Sequence, residues 1–454
     1  MSRKIAIIGA GSIGFTRNIV RDILSVPELS DTHFAFMDIN EKNLKMVTQL
    51  ISRDIEFNRV DAKITSTMDQ AEAITNADYV MSFVRVGGLE AFEKDIEIPL
   101  RYGINQCVGD TLCAGGIMYG QRTIPILLDI CQNIIDYANP NCIFLNYSNP
   151  NAMNTWACNE YGGVFTIGLC HGVIHGATQI EAALDIPHGE LDYICAGINH
   201  QTWYIQLIHK GKDVSKDLLS ALKTHPEYSV QEKVRIDMLE KFGYYSTESN
   251  GHLSEYVAWY RKRPEEIKNW INLDSWINGE TGGYLRVCKE GRNSFETEFP
   301  KWMTEDPIKF SPEVRTVEHA SYIIEALETG KTYRGHFNMV NNGIITNLLE
   351  GSIVEVPVYV DGNGFNVPVI GELPTACAAI CSQSIFVQKL SVEAAVFGDF
   401  DMLRQALLLD PLSGAVCTTP EIYNMADDLI TEMEEWLPQY KASIKEAKTR
   451  ISQR

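Results

Sequence analysis

The sequence predicts an α/β protein, with a doubly wound parallel sheet first and a mixed α+β domain after it. Three observations carry this. An apolar run of strand composition, Lys4 to Ile8, passes straight into Gly9-Ala10-Gly11-Ser12-Ile13-Gly14. A second strand-like run, His33 to Met37, ends in Asp38. From there to about residue 195, short apolar runs alternate with stretches of helical periodicity, the pattern of a parallel sheet with helices on both faces.

Taken in order, the glycine run is the Gly-x-Gly-x-x-Gly of a dinucleotide-binding turn. Gly9 permits the tight turn, Gly11 lets a pyrophosphate approach the backbone, and Gly14 lets the next helix pack on the strand. The N–H groups at the start of that helix, Ser12 and Ile13 among them, are free for the phosphates. Asp38, about twenty residues on, is the acid expected on the ribose hydroxyls. A carboxylate repels a 2′-phosphate, so the expected cofactor is NAD. Helices are predicted over 16–30 and 41–57, a strand from Tyr79 to Arg85, a Gly- and Cys-rich loop over 103–116 and a helix over 120–138. Strands follow at Cys142 to Tyr147 and Val164 to Cys170. Ligands collect at the carboxyl ends of parallel strands, so the loops after Gly9, Arg85, Tyr147 and Cys170 are expected on one face.

The pattern changes after about residue 195. The expected division is a Rossmann-like NAD-binding domain over 1–195 and an α+β substrate and oligomerisation domain over 196–454. Strand-like pieces (202–209, 353–360) mix there with long helices (about 312–328, 383–409 and 421–437). Residues 261–308 read as a mobile insertion. Ile422, Met425, Leu429, Met433 and Trp436 form an apolar stripe, core or subunit contact, and the charged tail after Pro438 reads as solvated.

With 454 residues, 45% of them apolar, the chain can bury two cores. Its net charge of −20 argues against nucleic acid and anionic membranes as partners. No apolar run is long enough to span a membrane, and the run behind Arg3 and Lys4 is the glycine-loop strand. Eleven scattered cysteines read as reduced, in a cytoplasmic protein.

Two of the candidate chemical groups stand out. Cys170 closes a strand, and His200 closes Gly197-Ile198-Asn199-His200. A thiolate and an imidazole together suit a borderline metal ion, although from sequence alone a buried cysteine and a hydrogen-bonded histidine are the readier account of them. Asp110 and Thr111 open a candidate ligand loop, and Asn149 follows a strand end, where it binds a ligand or shapes a turn. Cys377 and Cys381, four apart on a helix with no histidine pair, read as core.

Several short motifs occur together and in order. They are Gly9-Ala10-Gly11-Ser12, Gly109-Asp110-Thr111, Gly115-Gly116-Ile117, Asn146-Tyr147-Ser148-Asn149-Pro150, Cys170-His171-Gly172 and Gly197-Ile198-Asn199-His200, with Asn338 to Gly343 and Val354-Glu355-Val356-Pro357 beyond. In these the chain resembles glycoside hydrolase family 4, the NAD- and metal-dependent glycosidases that stand apart from two-carboxylate hydrolysis. Within it, Asn151 to Trp156 and Thr247-Glu248-Ser249 through Glu255-Tyr256 most resemble the α-galactosidase branch.

The resemblance implies a substrate domain of the lactate/malate dehydrogenase C-terminal type, NAD, and a divalent metal, Mn foremost, on Cys170 and His200. It implies transient oxidation at sugar C3, loss of the C2 proton, elimination at C1 and addition of water. Asn149 and His252 are then substrate contacts, and Asp110 tunes the metal or the base. His171 protonates the leaving group where the phosphoglycosidase branch has Asp, and the C2 base is Tyr256, Glu248 or Tyr245. His252 and Glu255 line the same pocket. The implied substrate is an α-galactoside. Gly172, where α-galactosidases like this chain tend to carry Ser, keeps α-glucuronidase, α-galacturonidase and α-glucosidase as alternatives, with Arg85 or Arg286 for a uronide carboxylate. A hydroxy-acid dehydrogenase and a non-enzymatic NAD sensor are the rivals of other classes. The expected partners are a small-molecule glycoside and further copies of the chain, as a homodimer or homotetramer.

Overall fold

The computed structural model describes residues 3–292 and 294–454. Its centre is one sheet of twelve strands. The first half is parallel, in the order β3-β2-β1-β4-β5-β6, with β1 (Lys4–Ile8), β2 (His33–Met37), β3 (Lys63–Thr67), β4 (Tyr79–Ser82), β5 (Ile143–Asn146) and β6 (Thr166–Leu169). This is the doubly wound order, and the strand direction of travel reverses between β1 and β4, where a ligand crevice opens. The sheet then continues without a break. β10 (Tyr333–Val340) pairs antiparallel with β6, and β11 (Ile353–Asp361), β7 (Leu191–Ile198), β8 (Gln201–His209) and β9 (Lys212–Asp213) follow, with β12 (Gly364–Asn366) on β11. Neighbouring strands therefore hold β6 and the β7–β8 hairpin at a fixed spacing.

Several predicted boundaries move, each for a physical reason. The helix expected over 16–30 spans Ile13–Leu24, starting on the glycine turn and stopping before Pro27, which opens a separate short turn. The expected loop over 103–116 gives way to a helix at Cys113, Cys113–Tyr137. Gly116 in it is there for contact rather than flexibility: a Cβ would lie 2.3 Å from the carbonyl carbon of Thr111. The helix expected over 312–328 begins at His319. The one expected over 383–409 is two, Thr375–Phe397 and Phe400–Leu409, broken where Gly398 takes φ +66°.

The C-terminal stripe is interior: Ile422, Met425, Leu429 and Met433 are fully buried, so it gives no support to a subunit contact. The tail after Pro438 is packed, not solvated. Its helix Lys441–Ile451 buries Ile444 and Ala447, and Arg450 and Arg454 pair with Asp427. Cys377 and Cys381 are core, as expected. Within 261–308, helices Gly283–Glu290 and Ser294–Thr304 form, and Leu285 packs on Phe92 and Ile96. Among the described residues no helix is long and apolar enough to cross a membrane.

Candidate active site

The loops at the carboxyl ends of β4, β5 and β6 do share one face. Phe83 and Arg85, Ser148 and Asn149, and Cys170 and His171 line a single cleft of about 340 Å³. Phe15, from the helix after the glycine turn, closes one side, packed edge to face on Phe83 and Tyr147.

The glycine turn is built as its sequence requires, with one exception. Gly9 has φ +88°, and a Cβ there would meet the Phe83 backbone at 3.0 Å. Asp38 holds the turn as well as facing it: its Oδ2 accepts the Gly11 N–H at 2.7 Å, and its Oδ1 accepts that of Asn40 at 2.7 Å. A Cβ on Gly11 would lie 2.6 Å from that Oδ2, so the glycine also makes room for the acid. Ser12 caps the helix without a side-chain bond; its own N–H, expected free, donates to Gly9 O at 3.2 Å, and Ile13 begins the helix, leaving the first-turn amides to a ligand. The exception is Gly14. A Cβ there would meet nothing within 4 Å, so close packing of helix on strand does not need it.

Cys170 and His200 come together from different halves of the sheet. Cys170 follows β6. His200 sits in the two-residue turn between β7 and β8, at φ +63°. Sγ and Nε2 are 3.3 Å apart. The other ring nitrogen of His200 lies 2.8 Å from Thr111 Oγ1, which donates to Asp110 Oδ1 at 2.8 Å. Asn149 Nδ2 donates to the second oxygen of Asp110 at 2.9 Å. Thr111 and Asn149 thus orient both the imidazole and the carboxylate. His252 faces His200 at 4.9 Å between ring centroids, with Ser249 Oγ on its Nδ1 at 2.8 Å.

Glu248 enters the same group, Oε1 at 3.5 Å from Cys170 Sγ. Burial pushes its carboxyl up, but His200, His252 and His171 outweigh burial and bring it to about 2. Burial, then the carboxyls of Glu248 and Glu355, push the Cys170 thiol well above its ordinary value. Burial and the neighbouring His200 hold His252 below its ordinary value. His171 Nδ1 lies 3.2 Å from Glu318 Oε1, a bond that raises the imidazole.

Three of the expected groups lie off the cleft lining. Tyr245 belongs to another cluster, its ring 4.1 Å under the Arg235 guanidinium. Tyr256 is wholly buried behind His252, against Thr111, and does not line the cleft. Glu255 does not line the pocket either. Its carboxylate accepts the backbone N–H groups of Cys107, Val108 and Gly109 at 2.7, 3.1 and 3.0 Å, fixing the loop that carries Asp110. Arg286 is engaged by Glu280 and Glu290, whereas Arg85 lines the cleft. Its guanidinium stands 4.7, 5.2 and 5.8 Å from the rings of Phe92, Tyr119 and Tyr284, with no carboxylate in ion-pair contact among the described residues. Sequence reasoning missed Thr111 as the Asp110–His200 link, Glu318 and the cleft aromatics Trp276 and Tyr284.

These residues suit a divalent ion. Sulfur, imidazole nitrogen and carboxylate oxygen form a borderline donor set, and Cys170, His200 and Glu248 offer atoms within 4.8 Å of one another. Neither Asp110 nor Glu248 has a Lys or Arg partner among the described residues, and imidazoles face the Glu248 carboxylate instead.

A dinucleotide turn, with a cleft beside it that holds a sulfur–imidazole pair, marks a dinucleotide- and metal-dependent enzyme. The chain belongs to the family 4 glycosyl hydrolases: residues 4–186 match the family's N-terminal pattern, described as Family 4 glycosyl hydrolase, and residues 195–413 its C-terminal domain. It is 56% identical to an α-galactosidase of Rhizobium meliloti (strain 1021), over 99% of this chain and 92% of that one. It is 34% identical to an α-galactosidase of Bacillus subtilis (strain 168), over 97% and 100%. In fold it is similar to the Thermotoga maritima 6-phospho-β-glucosidase solved with manganese, NAD+ and glucose 6-phosphate, at a TM-score of 0.76 and 22% identity, covering 95% and 99%.

Proposed function

We propose that the chain hydrolyses α-galactosides with NAD and a divalent metal, Mn foremost, returning both unchanged. The observation that carries the chemistry is the Cys170–His200 pair, 3.3 Å apart in the cleft beside the glycine turn. The identity to an α-galactosidase supports the sugar. Bound NAD supplies reversible hydride exchange at sugar C3, and the ion supplies polarisation of the C2 and C3 oxygens.

The chain's own residues do the rest. Gly9 and Gly11 admit the pyrophosphate, and Asp38 takes the ribose hydroxyls. Cys170 and His200 would hold the ion. Asn149 and Asp110, already bonded to each other, present one amide and one carboxylate to sugar hydroxyls. His171, with Glu318 on Nδ1, donates a proton from Nε2 to the leaving oxygen. The C2 proton passes to a group of the 245–256 stretch, and Glu248 and His252 are the two that reach the cleft. Loss of that proton drives elimination at C1, and water adds back.

We read the enzyme as cytoplasmic, since all eleven cysteines are unpaired. We read it as a homodimer or homotetramer, for which the exposed Phe386 and Phe397 supply apolar surface. We keep the domain division near residue 195, inside β7. An α-galacturonidase is the second reading, favoured by Arg85 in the cleft, a cation with no carboxylate in ion-pair contact among the described residues.

The test is turnover of an aryl α-galactoside in heavy water with catalytic NAD and Mn2+. Product galactose carries deuterium at C2, and NADH does not accumulate. Full activity after removal of NAD, with only light hydrogen at C2, refutes the mechanism. Stoichiometric NADH would establish the dehydrogenase instead. A faster α-galacturonide would establish the second reading.

A further inference from the structure

Glu248 reaches the cleft from a stretch read for a base, yet its surroundings are those of a ligand. Its Oε1 is 3.5 Å from Cys170 Sγ and 3.9 Å from His200 Nε2, and those two atoms are 3.3 Å apart. One carboxylate oxygen, one sulfur and one nitrogen thus form a compact triangle. No Lys or Arg among the described residues neutralises the carboxylate.

The backbone makes room for this arrangement at one position. Gly172 starts the helix Gly172–Ala183, and its N–H donates to Cys170 Sγ at 3.4 Å. A Cβ at 172 would lie 1.3 Å from Glu248 Oε1 and 2.4 Å from its Cδ. That is a collision with the carboxylate itself. A side chain at 172 therefore requires the Glu248 carboxylate to shift from this position.

We propose that Glu248 is a third protein ligand of the divalent ion, admitted by Gly172, and that it is not the C2 base. The inference rests on the reading that Cys170 and His200 hold a metal. Cys170, His200 and Glu248 would hold the ion, which would supply Lewis-acid polarisation to sugar oxygens. A cation on Glu248 Oε1 would lower the basicity of that carboxylate, and His252 is then the remaining group of its stretch in the cleft.

The experiment titrates metal-free protein with Mn2+ by calorimetry and with Co2+ by visible absorption, for wild type, Glu248→Gln and Gly172→Ser. NAD affinity of each variant serves as the folding control. Both variants weaken Mn2+ binding by at least about tenfold. Both change the Co2+ ligand-field bands while the sulfur-to-cobalt charge-transfer band from Cys170 persists. Gly172→Ser keeps the Glu248 carboxylate in the chain, so it decides the matter if Glu248→Gln fails the NAD control. Wild-type Mn2+ affinity and Co2+ spectrum in the folded variants overturn the proposal. Wild-type protein that binds neither ion overturns the metal reading beneath it, a result distinct from the first.

Discussion

Glu255 offers the sharpest test of how the site is held. Replace it with Gln, then with Ala. In the wild type three buried amides, of Cys107, Val108 and Gly109, end on its carboxylate at 2.7 to 3.1 Å. A hydrogen bond to a charged group contributes about 1.5–3 kcal/mol, and a buried donor left without a partner costs about 1–3 kcal/mol. Gln keeps one carbonyl oxygen, which serves two amides, and turns an NH2 toward the third. One orphaned donor then sets the loss at about 1–3 kcal/mol. Ala orphans three, but the loop relaxes and the terms do not add, so about 3–5 kcal/mol is expected. The effect reaches the chemistry because the next residues are Asp110 and Thr111, which orient His200. A misplacement of about 1 Å costs on the order of a hundredfold in rate. Denaturant unfolding measures the first effect. Turnover of an aryl α-galactoside with saturating NAD and Mn2+ measures the second. Glu255→Gln with wild-type kcat/KM and stability within about 0.5 kcal/mol would refute the argument.

Three further outcomes are expected. Arg122 and Asp95 form a buried bidentate pair at 2.6 and 2.7 Å, so Arg122→Met costs about 3–5 kcal/mol in denaturant unfolding, and adding Asp95→Asn recovers part of it. Burial holds the His336 imidazole well below its ordinary value, and its Nε2 accepts the Cys195 N–H at 3.4 Å. The unfolded chain takes up that proton below about pH 6.5 and the folded chain does not, so stability falls as pH drops, by up to about 1.4 kcal/mol per unit. His336→Gln removes that share of the slope in unfolding measured from pH 7 to 5. Cys170→Ser loses most turnover and keeps NAD affinity by calorimetry, because the sulfur ligand and the glycine turn are separate structures.

What could be read from the sequence was what lies close along the chain. The strands β1, β2 and β4 are nearly all buried and apolar, so composition marks them. β3 is an edge strand with no fully buried residue, and nothing in Lys63 to Thr67 marks it. β10 hides differently: it buries His336 and Asn338 between apolar neighbours, and a polar residue in a core strand looks like a break in the pattern. The helix that begins at Cys113 was hidden by its glycines, which looked like loop and turn out to be contact points.

The site divides the same way. Cys170, His200, Asp110 and Asn149 stand at strand ends or in short motifs, and the sheet brings them together. The groups that set their charge come from far off. Glu248 is 78 residues from Cys170, and Thr111 is 89 from His200. Glu318 meets His171 from the N-cap of a helix in the second half. No spacing rule links such pairs. Gly172 shows the consequence for specificity. Read alone, a glycine beside the reacting centre suggests open space and a sugar with more bulk there. In the folded chain that space holds the Glu248 carboxylate, within 1.3 Å of where a Cβ would be. A uronide carboxylate brought to the same spot would meet a like charge. The opening at 172 therefore argues against a uronide at that edge of the cleft, and the case for one moves to Arg85, the cation lining the cleft that no carboxylate pairs among the described residues.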